Sequence, residues 1–329
     1  MKPISNKGNR LIIYLDQFST SGIFESEVKE WKLIRELIIE GVKRGVYLCP
    51  MSSEHFIESS QKENKKAIYI DNEFYKISNG YSFKSELLIT SQLISSLIRG
   101  NNITLKTFLH ENIIKDILAN NENFRAFDEI KKKLNVKIEE GTIVSNKLRE
   151  YARHISIDKT TKNSLIDTHK SISVSRFINR LKDLINDEPT TMRGVKFPSG
   201  EIPHWIDLII FQLLNKHKIN RKEIEQLIVH LQKYGFRNIP TLDIRTSISA
   251  IISVDNKKEN VNDQIDIMRA STGLPISDLF LTDKQRKSEI IELELDRKYN
   301  TKVFSGTKKD LEELIVELNR IKTAYKKNK

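Results

Sequence analysis

Short runs of apolar residues near the two ends of the chain predict the strands of a buried parallel sheet. Leu11–Leu15 (LIIYL) and Val46–Cys49 lie near the N-terminus, and Leu279–Leu281 lies near the C-terminus. Thr301–Phe304 (TKVF) is predicted as a further short strand. A strand that is covered on both faces shows no alternation of polar and apolar residues, because neither face meets water. The segments between these runs have apolar residues at helical spacing. Strands and helices therefore alternate, which is typical of an α/β fold with a parallel sheet.

The first helix is predicted from about Glu25 to Arg44, because its apolar residues recur every three or four positions. Gly45 follows the last turn, where glycine commonly ends a helix. Gln17–Gly22, which is rich in helix-capping residues, is predicted as a loop. Ser52 is a suitable N-cap and predicts the start of a second helix.

The middle of the chain has a different pattern. From about Asp71 to Ile239 most apolar residues recur at helical spacing, and almost no segment resembles a buried strand. We therefore predict a large, mostly helical insertion at residues 71–244. Residues 1–70 and 245–329 would form the two halves of the interrupted α/β domain.

Asn262–Asp283 (NDQIDIMRASTGLPISDLFLTD) concentrates acidic residues and predicts a helix, a turn and a buried strand. Asp263 and Asp266 lie three residues apart, so a helix places both carboxylates on one face. Asp283 follows the strand, at the edge where ligands bind in open parallel sheets. Carboxylates with few histidines or cysteines nearby indicate a site for Mg²⁺ or Mn²⁺.

The composition favours a polyanionic partner. The 329 residues include 55 Lys and Arg against 44 Asp and Glu, so the formal net charge is +11. Nucleic acid is the natural partner of such a surface, although a solvated Lys-rich surface explains the same charge. Cys49 is the single cysteine, which excludes an intrachain disulfide and a cysteine-based zinc cluster. No segment resembles a signal peptide or a membrane span, so we expect a cytoplasmic protein with no membrane partner.

Four motifs occur in chain order: Asp16 after the first strand, Ser52 with Glu58, Asn262-Asp263, and Thr282-Asp283. Together they resemble the motifs of the PIN-domain nucleases. That family has an Asp after the first strand, a helix with Ser and then Glu six positions later, an Asn-Asp helix start and a Thr-Asp strand end. More narrowly, NDQIDI followed by LPISDLFLTD resembles a bacterial PIN-like subgroup whose late region has Asn-Asp, then Leu-Pro, then an Asp before Thr-Asp. The resemblance covers about residues 10–70 and 245–329.

The resemblance implies a three-layer α/β/α PIN-like fold with a central parallel sheet, interrupted by the helical insertion. It also implies a metal-dependent endoribonuclease, in which clustered carboxylates hold one or two Mg²⁺ or Mn²⁺ ions and a metal-activated water hydrolyses the phosphodiester. A role as a toxin or antiviral-defence effector follows by association with the family. The implied catalytic residues are Asp16, Glu58, Asp263 and Asp283, the implied metal ligands are these four with Asp266, and Glu54 and Asp278 are weaker candidates.

Each acidic residue also has a structural explanation. Asp16, Asp263 and Asp283 can each cap a helix or favour its first turn. Glu58 can lie on a solvated helix face, and Asp278 can have a structural role at the start of its strand.

Basic residues of the predicted insertion are candidates for binding phosphates. A solvated helical face explains them equally well, and the insertion can instead serve a protein partner or a second copy of the chain. The candidates for nucleic-acid binding are Lys170, Arg176, Arg180, Arg193 and Lys196, the last beside Phe197.

Two other functions remain open from the sequence. The first is a catalytically idle nucleic-acid-binding module, although carboxylates repel phosphate unless a metal intervenes. The second is a haloacid-dehalogenase-like phosphatase, because Asp16–Thr20 (DQFST) resembles the DxDxT motif. Phe18 stands where that chemistry needs its second Asp.

Overall fold

The computed structural model describes most of the chain. The described residues are 10–52, 64–111, 157–186 and 205–327, together with 132, 136, 140, 143 and 146–150. Within these residues, every helix is too short or too polar to cross a membrane.

The chain divides into two compact units. The sheet unit comprises Lys2–Lys84, Thr104–Lys133 and Thr272–Lys329, and the helical unit comprises Ser85–Ile103 and Leu134–Ser271. These units are defined by how compactly their residues pack and do not test whether residues 71–244 are an insertion. The insertion therefore stays a prediction.

The described elements follow one another in a mixed α/β order. The strands are β1 (Leu11–Leu15), β2 (Tyr47–Leu48), β3 (Tyr81–Phe83), β4 (Leu109–Glu111), β5 (Leu279–Leu281) and β6 (Lys302–Phe304). The helices are α1 (Gln17–Glu25), α2 (Lys29–Lys43), α3 (Asn64–Ser78), α4 (Glu86–Arg99), α5 (Leu105–Phe108), α6 (Lys159–Asn186), α7 (Trp205–Asn215), α8 (Arg221–Tyr234), α9 (Pro240–Val254), α10 (Val261–Gly273), α11 (Lys284–Glu292), α12 (Leu295–Tyr299) and α13 (Lys308–Lys327).

A four-stranded parallel sheet forms the centre of the sheet unit, in the order β2-β1-β5-β6. The register pairs Leu15 with Leu281, and Leu281 with Phe304. Strands from the two ends of the chain therefore lie side by side. The prediction of an α/β fold with a central parallel sheet is confirmed.

Both faces of the sheet are covered. Ile13, Leu15 and Leu281 face a core formed with helices α1, α2, α3 and α13. On the opposite face, the ring of Tyr14 stacks on Phe280 with 4.4 Å between ring centroids. The alternation follows from the two-residue period of a strand. Because both sides are apolar, the strands have the continuous hydrophobic character seen in the sequence.

The predicted loop at Gln17–Gly22 was wrong, because helix α1 begins directly after Asp16. The Asp16 carboxylate accepts a hydrogen bond from the Ser19 backbone N–H at 2.8 Å. The residues that suggested a loop are therefore the start signal of a helix. The predicted helix at 25–44 is observed as the separate helix α2, which begins at Lys29.

The antiparallel pair β3–β4 was also missed by the sequence pattern. Each strand has only three residues, which is too short for a two-residue period to be recognised. Phe83, at the end of β3, is buried and its ring lies 5.5 Å from that of Tyr14. The pair therefore covers part of the sheet face that carries Tyr14.

An ion pair between Arg245 and Glu86 links helices of the helical unit. Arg245 on α9 donates hydrogen bonds to both carboxylate oxygens of Glu86 on α4. Ser271 on α10 donates to the same carboxylate at 2.6 Å, and Arg245 also donates to Gln264 at 3.3 Å. Burial lowers the pKa of Arg245, but Glu86 outweighs this and keeps the guanidinium charged. Three helices are therefore held together by one satisfied polar network.

The amino edge of the sheet carries a paired carboxylate, Glu317 on α13. Arg320 donates to it at 2.6 Å, and the Lys302 ammonium lies 2.8 Å away. The hydrogen bond from Arg320 lowers the pKa of Glu317 to about 2, despite burial, and Lys302 adds to the effect.

We expect this group to make stability depend on acid pH. Because its pKa is lower in the folded chain than its usual value of 4.5, its stabilisation is complete above about pH 4.5 and is lost as the pH falls towards about 2. Both cations are more than half exposed, so solvent screening limits the contribution to about 1 kcal/mol. Urea unfolding of the wild type and Glu317→Gln should show a difference at pH 7 that shrinks at pH 3.5. A difference that does not change with pH would contradict this assignment.

Candidate metal centre at the carboxyl edge of the sheet

Asp16 is a buried carboxylate at the carboxyl end of β1. It is only 7% exposed, and its Oδ1 accepts the hydrogen bond from Ser19 N–H. Its backbone carbonyl accepts from the Ser19 hydroxyl at 2.9 Å. These bonds make Asp16 the N-cap of α1 and fix the orientation of its side chain.

Asp283 has the same role at the end of β5. Its Oδ1 accepts hydrogen bonds from the backbone N–H groups of Gln285 at 2.7 Å and Arg286 at 3.0 Å. Asp283 is therefore the N-cap of α11 and is partly buried.

The sheet brings these two positions to the same edge. β1 and β5 are parallel neighbours, and the Asp16 N–H donates to the Leu281 carbonyl at 3.3 Å. Neighbouring strands lie about 4.8 Å apart, and the two aspartates follow one and two residues after the paired Leu15 and Leu281. Each carboxylate also lies at a helix N-terminus, where the helix dipole favours negative charge. The prediction that Asp16 and Asp283 lie at the carboxyl ends of strands is confirmed.

The donor set at this edge fits a hard divalent cation. A carboxylate offers about four lone-pair sites, so a capping hydrogen bond is compatible with metal ligation. Mg²⁺ keeps several waters and commonly needs only one or two carboxylates. Among the residues that the structure describes, no three His, Cys, Asp or Glu side chains gather closely enough to hold a metal by themselves. Two carboxylates completed by water suit Mg²⁺ or Mn²⁺ better than a closed zinc site.

Gln17 is a polar residue at this edge that the sequence did not indicate. It follows Asp16 directly, and both polar atoms of its side-chain amide are buried without a hydrogen-bond partner in the described part of the chain. Leaving such a group unsatisfied costs about 1–3 kcal/mol. A buried amide of this kind points to a polar ligand, water or ion at the site.

Asp71 is a buried carboxylate that the sequence did not single out. It lies on α3 and is 1% exposed, next to the buried Ile70 and three residues before the buried Phe74. Helix α3 packs against α1, the helix that Asp16 caps. The signal that could have found it is a charged residue within an apolar stripe, because a buried carboxylate is rare without a specific role.

Asp263 and Asp266 lie in the helical unit, on α10, where the predicted helix is confirmed. The Asp263 carboxylate accepts from the Asn260 N–H at 2.9 Å, and the Asn260 side chain accepts from the Asp263 N–H at 3.2 Å. This reciprocal pair is a capping box. The Asp266 carboxylate lies 3.8 Å from the guanidinium of the buried Arg269. Their predicted role as metal ligands stays a prediction.

Asp278 lies at the opposite edge of the sheet from Asp283. Its carboxylate accepts from the Ile12 N–H at 2.8 Å, and its own N–H donates to the Ile12 carbonyl at 2.8 Å. Asp278 therefore joins β5 to β1 at their amino ends. Glu54, Glu58, Arg193 and Lys196 lie outside the described residues.

Two of the described basic candidates lie beside an acidic side chain. The Lys170 ammonium lies 3.6 Å from the buried Asp243, and Arg180 donates to Asp207 at 2.6 Å. Arg176 is exposed on α6. Arg176 is therefore the described candidate best placed to meet a phosphate from solvent.

Comparison of the chain with protein-family models, curated proteins and solved structures gives no match.

Proposed function

We propose that this protein is a metal-dependent nuclease that hydrolyses phosphodiester bonds in RNA. The observation that carries the proposal is the pair Asp16 and Asp283, which follow neighbouring parallel strands at one edge of the sheet. The net charge of +11 supports a polyanionic substrate. The resemblance of the sequence motifs to PIN-domain nucleases supports the same function, and with it a three-layer PIN-like arrangement of the sheet unit.

The chain's own residues would bind and orient the reacting groups. When bound, Mg²⁺ or Mn²⁺ lowers the pKa of water and neutralises charge on a phosphate. Asp16 and Asp283 would hold the ion, with carboxylates already fixed by their capping bonds, so little reorganisation is needed. The Gln17 amide has both a donor and an acceptor to offer a substrate oxygen or a water at this edge.

A second candidate function is a nucleic-acid-binding module without catalysis. It is favoured by the capping bonds of Asp16 and Asp283, which give both carboxylates a structural role. The basic charge would then bind phosphates while the aspartates only begin helices.

Incubation of the purified full chain with labelled RNA and single-stranded DNA tests these alternatives. The reactions contain Mn²⁺, Mg²⁺ or a chelator. We expect RNA cleavage with either metal and none with chelator. Cleavage that persists in chelator would contradict the proposal, whereas binding without cleavage under all conditions would support the idle module. Release of phosphate from small monoesters would instead support a phosphatase.

A further inference from the structure

An aromatic ring lies exposed beside the candidate metal centre. Phe18 follows Asp16 by two residues in α1 and is 41% exposed. Isolated exposed apolar side chains are common and need no function. Phe18 differs from such residues because it lies beside Asp16 and because its ring packs against Trp31 and Gly306.

Two neighbours hold the Phe18 ring in place. The ring packs edge-to-face against Trp31, with 5.7 Å between centroids. It also lies on the backbone of Gly306, where an added Cβ would be 2.0 Å from the ring's Cζ. Any residue larger than glycine would therefore displace the ring.

The contact with Gly306 places the ring across the carboxyl edge of the sheet. Phe18 follows β1 and Gly306 follows β6, and β5 lies between these two strands. The end of β5 carries Asp283. The ring therefore spans the same edge as both aspartates.

The turn beneath the ring is itself anchored. The Asp310 carboxylate accepts hydrogen bonds from the N–H and hydroxyl of Ser305, the residue before Gly306. Lys287 on α11 donates to Asp310 at 2.6 Å. Burial raises the pKa of Asp310, but these hydrogen bonds outweigh it and lower the pKa below its usual value. The charged carboxylate thus ties the turn to the helix that Asp283 caps.

We infer that Phe18 is a stacking surface for an unpaired nucleobase of the substrate, next to the phosphodiester at Asp16 and Asp283. The inference rests on the proposed nuclease function and narrows its substrate to a single strand. Every base has a π-face, so stacking tolerates different sequences. A base within a duplex is already stacked on its neighbours and cannot use the ring. Because the ring is held before binding, little side-chain entropy is lost.

Three variants of Phe18 test the stacking role. The probe is a short single-stranded RNA that contains 2-aminopurine, with the same RNA in a duplex for comparison. Equilibrium binding is measured in chelator, and the KM and kcat of cleavage are measured with Mn²⁺. Phe18→Trp keeps an aromatic face, Phe18→Leu keeps apolar volume without one, and Phe18→Ala removes both. Tyr234→Ala is the matched control, because Tyr234 is an aromatic residue on α8 with 40% exposure.

We expect Phe18→Leu and Phe18→Ala to weaken binding of the single strand roughly 5- to 150-fold. In the wild type, stacking on Phe18 should quench the fluorescence of 2-aminopurine when the RNA binds. Phe18→Leu and Phe18→Ala should abolish this quenching and raise KM. Phe18→Trp and Tyr234→Ala should behave as the wild type. Thermal unfolding of Phe18→Leu confirms that the variant is folded.

Two results would overturn the inference while the nuclease proposal stands. In the first, Phe18→Leu binds the single-stranded RNA and quenches 2-aminopurine fluorescence as the wild type does. In the second, the wild type cleaves the duplex in preference to the single strand. A wild type that neither binds nor cleaves any nucleic acid would overturn both.

Discussion

Asp283→Asn is expected to lower metal-dependent RNA cleavage by at least about 100-fold while leaving the fold intact. Asn caps helices about as well as Asp does, so the bonds from Gln285 and Arg286 N–H groups should persist. The variant loses only the anionic oxygen that would hold the ion. Initial cleavage rates with Mn²⁺ and the thermal midpoint by circular dichroism measure the two effects separately. Asp16→Asn should behave in the same way.

A matched control for this experiment is Asp158→Asn. Asp158 precedes α6 and accepts hydrogen bonds from the Thr160 and Thr161 N–H groups, so it caps a helix as Asp283 does. It is exposed and belongs to the helical unit, and its replacement should leave the cleavage rate unchanged. If Asp283→Asn cleaved as fast as the wild type, Asp283 would be a capping residue and nothing more.

Arg286→Met is expected to destabilise the protein by about 3–5 kcal/mol. Arg286 and Glu289 form an ion pair within α11, and their side chains are only 2% and 1% exposed. Gln285 also donates to the Glu289 carboxylate, at 3.2 Å. Removing the guanidinium would take the Arg286 charge away from a buried carboxylate, which is costly in a low-dielectric interior. The free energy of unfolding in urea gives the size of the effect.

The double variant Arg286→Met/Glu289→Leu separates a buried charge from general damage to the helix. Apolar residues of similar volume often replace a buried ion pair with little loss, so the double variant should recover most of the stability. The exposed pair Lys308–Glu312 is the control, because its disruption should cost less than about 1 kcal/mol. Additive losses in the double variant would show that the two side chains are not coupled.

The sheet and the strand-end positions of two aspartates could be predicted from the sequence for a simple reason. A buried parallel strand has a continuous apolar run, and the residue that follows it must lie at the sheet edge. Asp16 and Asp283 both follow such runs. The strand order was not encoded locally, because β1 and β5 come from opposite ends of the chain and pair only through the fold.

Other features depend on contacts that no local pattern carries. The capping residues at Gln17–Gly22 favoured a loop, but Asp16 caps a helix that begins directly after it. Asp71 and Gln17 became candidates only through their burial, which is decided by the packing of α3 and by the sheet edge. For Asp263, the capping explanation and the metal-ligand explanation predict the same helix, so observing α10 does not separate them.

The central claim is that the carboxyl edge of the sheet holds a divalent metal through Asp16 and Asp283. Electron paramagnetic resonance of Mn²⁺ titrated into the purified chain measures this directly, without any substrate. We expect the wild type and Asp158→Asn to bind Mn²⁺ alike, and Asp16→Asn and Asp283→Asn to lose that binding. Equal Mn²⁺ binding by all four proteins would contradict the claim.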